Sequence, residues 1–376
     1  MKAVGIVVEY NPFHNGHLYQ IKKIKEKYKD FAIVVVTSSS FTQRGSISVL
    51  NKIEKTNVAL EYKVDLVIEL PFPFSTQSAD TFAYGSIKIL NELKIDTLVF
   101  GSESNDLNKL TKIAKTQINN KEFDKLVKNY IKSGINYPTA LNKAIKKLTN
   151  LEVSEANDLL GISYIKEIIK NNYNIKIDII KRTNDFHDLN SNAKIVSASN
   201  IREKMKNNIK IKKYVPALSY KYLKNKRIND NYFKYLKYQI INNIDDLNKF
   251  KTVDEGIENR IKKYIFISNN LDEFIKNIKT KRYTYNKINR MLTHILVGFT
   301  KEKSDLLNDI KYIRVLGFND IGKSYLKSIK KNVTLPIITN YVKNNDLLDF
   351  EYKVTNIYNL VMDDNLIEYK IKPIKK

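Results

Sequence analysis

Hydrophobic and polar positions along the first 180 residues alternate between two patterns. Residues 3–10 (AVGIVVEY), 31–38 (FAIVVVTS), 64–70 (VDLVIEL), 97–103 (TLVFGSE) and 174–180 (NIKIDII) are short, nearly continuous apolar runs. Between the first two, Leu18, Ile21, Ile24 and Tyr28 recur three to four residues apart, the spacing of one helix face. Residues 52–62 and 76–93 also read as helices. Apolar strands separated by amphipathic helices predict an α/β fold with a parallel sheet covered on both faces. Ligands of such sheets gather beyond the carboxyl ends of the strands. Four segments fall there: HNGH (14–17), SSSFTQRG (38–45), LPFPF (70–74) and FGSE (100–103).

Residues 104–172 lack strand runs and are expected to form a helical insertion between the fourth and fifth strands. Past about residue 205 the strand signal fades into helical segments rich in Tyr and Lys, such as 215–244 and RMLTHILVGFT (290–300). The predicted division is therefore a sheet domain over 1–205 and a mostly α-helical basic domain over 206–376, with Pro216 just past the boundary. Near the end, YKVTNIYNLVM (352–362) and IEYKIKPI (367–374) alternate enough to be read as short strands.

Charge changes this picture. The net charge is +25, and it is unevenly placed. Residues 1–200 carry 28 basic and 21 acidic side chains, whereas residues 201–376 carry 37 and 19. Compositional drift toward Lys, Asn and Ile explains many lysines but not this asymmetry, which points to a polyanion, nucleic acid, on the second half. A polybasic helix on a membrane surface fits less well, because the charge is spread over the whole half without a lipid-anchor motif. No apolar run approaches the ~18 residues of a membrane span. The start, MKAVGIVVEY, reads as a buried strand and not as a signal peptide. The chain has no Cys, which excludes disulfides and thiolate metal sites and suits a reducing compartment; a cytoplasmic location is expected.

The tetrad HNGH places two of only four histidines three residues apart, where the first strand gives way to the first helix. His14 and His17 then project from the same side of the helix start. That start adds unpaired backbone N–H groups and the positive end of the helix dipole. Gly16 lets an anion approach the backbone closely. Together these suit a phosphate that gains negative charge during reaction, the imidazoles donating to its oxygens. Nucleotidyl transfer leads; plain helix capping by the histidines is the structural reading. A metal centre fits poorly, because the nearest third ligand, Glu9, lies on the strand and no third His is close.

Strand, HxGH and helix in this order resemble the HIGH-type nucleotidyltransferase superfamily, which includes class I aminoacyl-tRNA synthetases and small-molecule adenylyltransferases. The wider text is more specific. VGIVVEYNPFHNGHL, TQRG, DLVIELPFPFSTQSADTFAYGSIKIL, FGSE, NDLLGISYIKEI, IKRTNDFHD, SASNIREKM, KRYTYNKINRMLTHIL and YIRVLGFNDIGKSYLKSIKK resemble the bacterial tRNA(Met) cytidine acetate ligase family over nearly the whole chain. The absence of a KMSKS tract sets it apart from aminoacyl-tRNA synthetases. The resemblance implies a Rossmann-like nucleotidyltransferase domain. It further implies ATP-dependent ligation of acetate to N4 of the wobble cytidine of elongator tRNA(Met), through acetyl-AMP. Its partners would be ATP, acetate and tRNA, with no membrane and no protein partner evident; whether Mg²⁺ accompanies ATP is not legible.

The ATP site implied by the resemblance comprises Val7, Val8, Glu9, Tyr10, Asn11, Pro12, Phe13, His14, Asn15, Gly16, His17, Leu18, Tyr19 and Gln20, with Gly101, Asn157 and Arg182. Gly101 would set adenosine against bare backbone, Asn157 offers a donor and an acceptor, and Arg182 is a fixed positive fork. Asn157 reads equally as a helix cap. In SASNIR (197–202) the superfamily pattern assigns Ser199 and Arg202 to the β- and γ-phosphates, against an ordinary Ser-capped helix. One departure is the loop TSSSFTQRG, where Ser39 and Ser40 stand in place of the family's more usual Gly and Asn or His, near the expected acetate.

In the basic half, KRYTYNKINR (281–290) groups Lys281, Arg282, Lys287 and Arg290 around two tyrosines. If helical throughout, it would place Arg282 and Asn286 on one face. Lys281, Arg282 and Arg290 are the candidate tRNA contacts, since basic side chains fix phosphates and tyrosines stack on unpaired bases. Tyr222, Tyr232, Tyr235 and Tyr238 read instead as a half-buried helix face. Two other functions remain open at this point, a small-molecule adenylyltransferase and an RNA-binding protein with a vestigial nucleotide fold.

Overall fold

The structure, a computed structural model, describes residues 1–182, 195–226 and 231–376. The Thr183–Asp188 portion of the IKRTNDFHD motif lies outside the described residues. Five strands come from the first half: β1 (Ala3–Val8), β2 (Ala32–Ser38), β3 (Leu66–Leu70), β4 (Thr97–Ser102) and β5 (Lys176–Lys181). They lie in the order β5-β4-β1-β2-β3, all parallel. Every residue of β2 is buried, as expected of a central strand covered on both faces. Each of its Val side chains contributes roughly 1.5–3 kcal/mol by leaving water. Helix α1 (Asn15–Lys27) follows β1 and packs Ile21 and Ile24 into the core. Helix α2 (Lys52–Glu61) follows the loop after β2. Between β4 and β5 run helices Leu107–Asn119, Lys121–Lys132, Tyr137–Thr149 and Ala156–Lys170.

The second half is mainly helical but also completes the sheet. Strand β6 (Ile313–Phe318) pairs antiparallel with β3, setting Glu69 opposite Arg314. β7 (Ile337–Ile338) and β8 (Ile374–Lys375) pair in turn with β6. No strand was expected here, where the sequence reads as mostly helical; IRVLGF is nonetheless a buried strand of the first sheet. The expected strand over 352–362 is instead part of a helix, Asp346–Met362, capped by Asn345. Its buried Leu347, Phe350, Glu351, Val354, Thr355, Tyr358, Val361 and Met362 follow helical spacing. A window of a few residues misreads this as alternation. The run 367–374 holds a short 3-10 turn, Glu368–Lys370, and only the first residue of β8.

Where the halves meet, a charge cluster is sealed from solvent. Lys52 Nζ lies 2.5 Å from Glu69 Oε1 and 3.1 Å from Glu368 Oε2. Arg314 Nη1 lies 3.0 Å from Glu69 Oε2 and also bonds Glu368. Thr355 donates to Glu368, and Glu351 accepts from Phe72 N–H. Burial and the neighbouring Glu69 push the Glu351 carboxyl well above the usual carboxylate range. Lys52 and Arg314 thus face Glu69 and Glu368. β6 is thus tied to β3 by charge as well as by backbone pairing.

Candidate active site

β1 ends at the centre of the sheet, and the chain turns through Tyr10 (φ 46°) and a cis Asn11–Pro12 bond into α1. Asn11 pins the turn to the loop after β2, donating to Ile47 O (3.1 Å) and accepting from Val49 N–H (2.9 Å). His14 is the N-cap of α1. Its Nδ1 accepts from Gly16 N–H at 3.0 Å, while His17 Nδ1 accepts from His14 N–H at 3.2 Å. The two imidazoles thus form a reciprocal capping box, with rings stacked at 3.8 Å. A Cβ at position 16 would stand 2.8 Å from His14 Cε1, so only glycine admits this fold of the ring over the helix start.

This geometry sets the protonation state. A ring nitrogen that accepts from a backbone N–H carries no proton, so each neutral imidazole keeps its hydrogen on Nε2. Burial, with Arg182 and Arg202 nearby, holds His14 down to about 3. Burial, then His14 and Arg182, lower His17 as well. Capping thus fixes the tautomer: Nδ1 holds the helix, leaving Nε2–H as the donor. Both rings line a cavity with Gly16, Tyr19, Gln20, Gly101, Arg182 and Ser197. If these histidines serve the reaction as neutral donors, turnover at saturating substrate shows no inflection near pH 6.5. An acid limb centred there that vanished in a His14→Asn variant would contradict the neutral assignment. Stability runs the other way: the depressed value means the unfolded chain takes up the proton first, so stability falls as pH drops from 6.5 toward 3.

Not all of the run 7–20 faces the cavity. Val8, Tyr10 and Phe13 are buried in the core behind α1, and Leu18 packs against that core. Tyr10 and Phe13 back the His17 ring at 4.9 and 5.5 Å, and Phe13 also stacks on Tyr62. Asn15 donates through its side chain to Lys213 O and through its backbone to Tyr214 O. Val7 is partly buried against the sheet core. Pro12 lies buried in the turn.

Across the cavity, FGSE and NDLL interlock. Asn157 is not a cap, since Glu155 occupies that position; its Nδ2 donates to Glu103. Arg182 Nε stands 3.3 Å from the same Glu103 Oε1, and Asp158 N–H donates to Oε2. Asp158 in return accepts from Ser102 Oγ and from the N–H groups of Glu103 and Ser104. Glu103 and Asp158 were missed as individual residues, because nothing local distinguishes them from surface carboxylates. A Cβ on Gly101 would lie 3.2 Å from Arg182 Cγ, so the bare backbone and the guanidinium share one wall.

Helix Ala198–Lys206 is capped by Ser197, which accepts from Asn200 N–H. Ser199 accepts from Arg202 Nη2 at 3.1 Å, and Arg202 Nη1 donates to Asn11 O at 2.6 Å. The structure thus brings Ser199 and Arg202 to the turn that enters α1. Glu9 accepts from Gln43 N–H at 2.5 Å, fastening the TQRG loop to the end of β1. Lys55, buried under the same loop, donates to Ser38 O (3.0 Å) and Ser39 O (2.9 Å), and burial lowers it to about 7.

The tRNA candidates divide. Lys281 and Arg282 are exposed, but Thr284 caps a helix that begins only at Tyr285, so Arg282 is not on its face. Tyr283 is buried and donates to Asp254 O, with Lys287 Nζ 3.9 Å from its ring centre, whereas Tyr285 is exposed. Arg290 is half-buried, with its backbone against Gly45 of the TQRG loop. Of the other tyrosines, Tyr232 is buried and Tyr222 and Tyr235 are half-buried, but Tyr238 is exposed. His294 is a core residue, with Nε2 2.8 Å from Thr76 O. Among the described residues no three His, Asp or Glu side chains converge as a metal cage, and no helix is long and apolar enough to cross a membrane.

Residues 1–372 match the family model described as HIGH Nucleotidyl Transferase. The chain is 38% identical to the tRNA(Met) cytidine acetate ligase of Anoxybacillus flavithermus, with 100% of both chains covered. It is 39% identical to the enzyme of the same name from Caldicellulosiruptor saccharolyticus, over 100% of this chain and 98% of that one. Among solved structures, apo Thermotoga maritima TmcAL superposes with a TM-score of 0.91 at 29% identity, covering 100% of this chain and 99% of that one. The same protein bound with alpha-thio ATP gives a TM-score of 0.89 at the same identity and coverage.

Proposed function

The chain belongs to the HIGH nucleotidyltransferase family and, within it, to the tRNA(Met) cytidine acetate ligases, and from that premise we propose how its residues serve the reaction. ATP binds across the ends of β1 and β4, with adenosine against Gly101 and Asn157 and phosphates toward His14, His17, Arg182, Ser199 and Arg202. Acetate attacks the α-phosphorus, pyrophosphate leaves, and acetyl-AMP forms. The cytidine N4 amine then attacks the acetyl carbonyl and AMP departs. Two Nε2–H groups, fixed in place by their own capping bonds, meet the charge that builds on the α-phosphate oxygens without reorganising. The observation that carries this reading is the reciprocal capping box, which makes both imidazoles neutral donors at a helix N-terminus.

Division of labour follows the chain: residues 1–205 hold ATP, and 206–376 supply the basic tRNA surface, joined to the first part through β6. Glu9 and Glu103 are already engaged by Gln43, Asn157 and Arg182, so any Mg²⁺ would arrive on the phosphates. Incubation with labelled acetate, ATP and total tRNA is expected to place label in N4-acetylcytidine, recovered by nucleoside analysis. Label found only in a small adenylylated product, with tRNA irrelevant, would replace this reading with a small-molecule adenylyltransferase.

A further inference from the structure

Residues 204–226 hold eight lysines and no Asp or Glu. The fold neutralises the ends of this run. Lys206 Nζ meets Asp272 Oδ2 at 3.0 Å, while Lys226 Nζ meets Glu54 Oε1 at 3.2 Å and Asp364 Oδ2 at 3.0 Å. Lys204 is buried, its Nζ 5.4 Å from the centre of the Tyr214 ring. Lys210, Lys212, Lys213, Lys221 and Lys224, which lie between the two ends, are all exposed. Among the described residues no carboxylate pairs with any of these five. Acids thus reach the ends from three other segments and leave the middle as unbalanced positive charge, which suits a polyanion.

The run borders the ATP cavity. It leaves helix Ala198–Lys206, whose cap Ser197 lines that cavity, and returns to the start of α1. There Asn15 N–H donates to Tyr214 O at 3.0 Å, and Asn15 Nδ2 donates to Lys213 O at 2.9 Å. Asn15 stands between His14 and Gly16, both part of the cavity wall. Buried Tyr214 supports Lys213 from below, with Nζ 5.0 Å from its ring centre. The chain then crosses to α2, where Leu218 N–H donates to Tyr62 Oη at 3.1 Å, and forms helix Ala217–Leu223. Seven helical residues rise roughly 10 Å, which makes the whole strip longer than a triphosphate. Basic side chains set out along a line match a phosphodiester backbone instead.

We propose that Lys210, Lys212, Lys213, Lys221 and Lys224 form a phosphate track that holds the anticodon arm of the tRNA, with Lys213 nearest the cytidine being acetylated. The track rests on the tRNA ligase reading above. It places the principal grip at the seam between the two halves, and not on Lys281 and Arg282. Because Lys213 O also holds Asn15, a backbone seated on the track is in register with the His14–His17 turn. One segment thus grips the RNA and fixes where the acceptor nucleotide lies relative to acetyl-AMP.

The test uses the full chain, unmodified tRNA(Met) and two variants, Lys210→Gln/Lys212→Gln/Lys213→Gln and Lys221→Gln/Lys224→Gln. Glutamine removes the charge and leaves the Lys213 carbonyl in place for Asn15. Equilibrium tRNA binding, followed by filter retention over a salt series, is expected to weaken about 10-fold or more in the triple variant. In both variants the log–log salt slope should fall by about 0.7–0.9 unit for each lysine removed. Acetate-dependent ATP–pyrophosphate exchange without tRNA should stay within about two-fold of the wild type, while kcat/KM for acetylcytidine formation falls with the binding loss. If a multiple variant does not fold, the single substitutions carry the same slope test. Unchanged affinity and slope in either variant would overturn the track. So would lost exchange with tRNA affinity intact, which would give the lysines to ATP. A wild-type enzyme that binds tRNA through these lysines yet forms no acetylcytidine would remove the ligase reading and leave the track standing.

Discussion

His17→Ala is expected to slow acetate-dependent ATP–pyrophosphate exchange by about 10²–10³-fold, the usual consequence of removing one preorganised donor from a developing oxyanion. Two functions leave with the ring. Nδ1 no longer caps His14 N–H, which costs about 1 kcal/mol of stability. Nε2–H no longer reaches the phosphate. His17→Asn separates them, because a carboxamide oxygen can take the place of Nδ1 while its nitrogen stops short of where Nε2 stood. The expected pattern is near-native thermal stability in His17→Asn together with most of the exchange defect. Wild-type exchange in the Asn variant would show that the histidine matters only as a cap. The nearby rings make the contrast readable: Tyr10 and Phe13 hold residue 17 from behind and do not reach the cavity.

Arg314→Met is expected to destabilise the whole protein by about 3–5 kcal/mol, the usual cost of removing one partner from a buried ion pair. Methionine fills much of the space, but Glu69 and Glu368 would then share Lys52 alone, each essentially without solvent. The loss reaches both halves, since Glu69 lies on β3 of the first half and Glu368 follows the C-terminal helix. Urea unfolding followed by probes in each half should shift to lower midpoint as one transition. A midpoint within about 0.5 kcal/mol of the wild type would mean the cluster is dispensable. Two separated transitions would mean that β6 does not couple the halves.

Much of the first half was legible in one dimension. Strands β1 to β4 lie close to the apolar runs that predicted them, because a strand buried on both faces must be apolar residue after residue; β5, half-buried at the sheet edge, also lies close to its run. HNGH could be placed at a strand–helix junction for the same reason, and the chemistry of a helix start follows from backbone geometry alone. Other features depend on contacts that no local period encodes. Gly45 meets the Arg290 helix from 248 residues away from Thr293, and Arg314 meets Glu69 across 245. Glu103 looks like any surface carboxylate until Asn157 and Arg182 close on it. The strand IRVLGF was passed over in a half that reads as helical, and YKVTNIYNLVM alternates over a few residues while its burial follows a helix. Local sequence thus determined the strands of the first half and the place of the His14–His17 turn, since those depend on backbone preference and solvent exclusion. Which distant charges and glycines meet was decided only when the chain closed on itself, where the cost of burying a charge selects its partner.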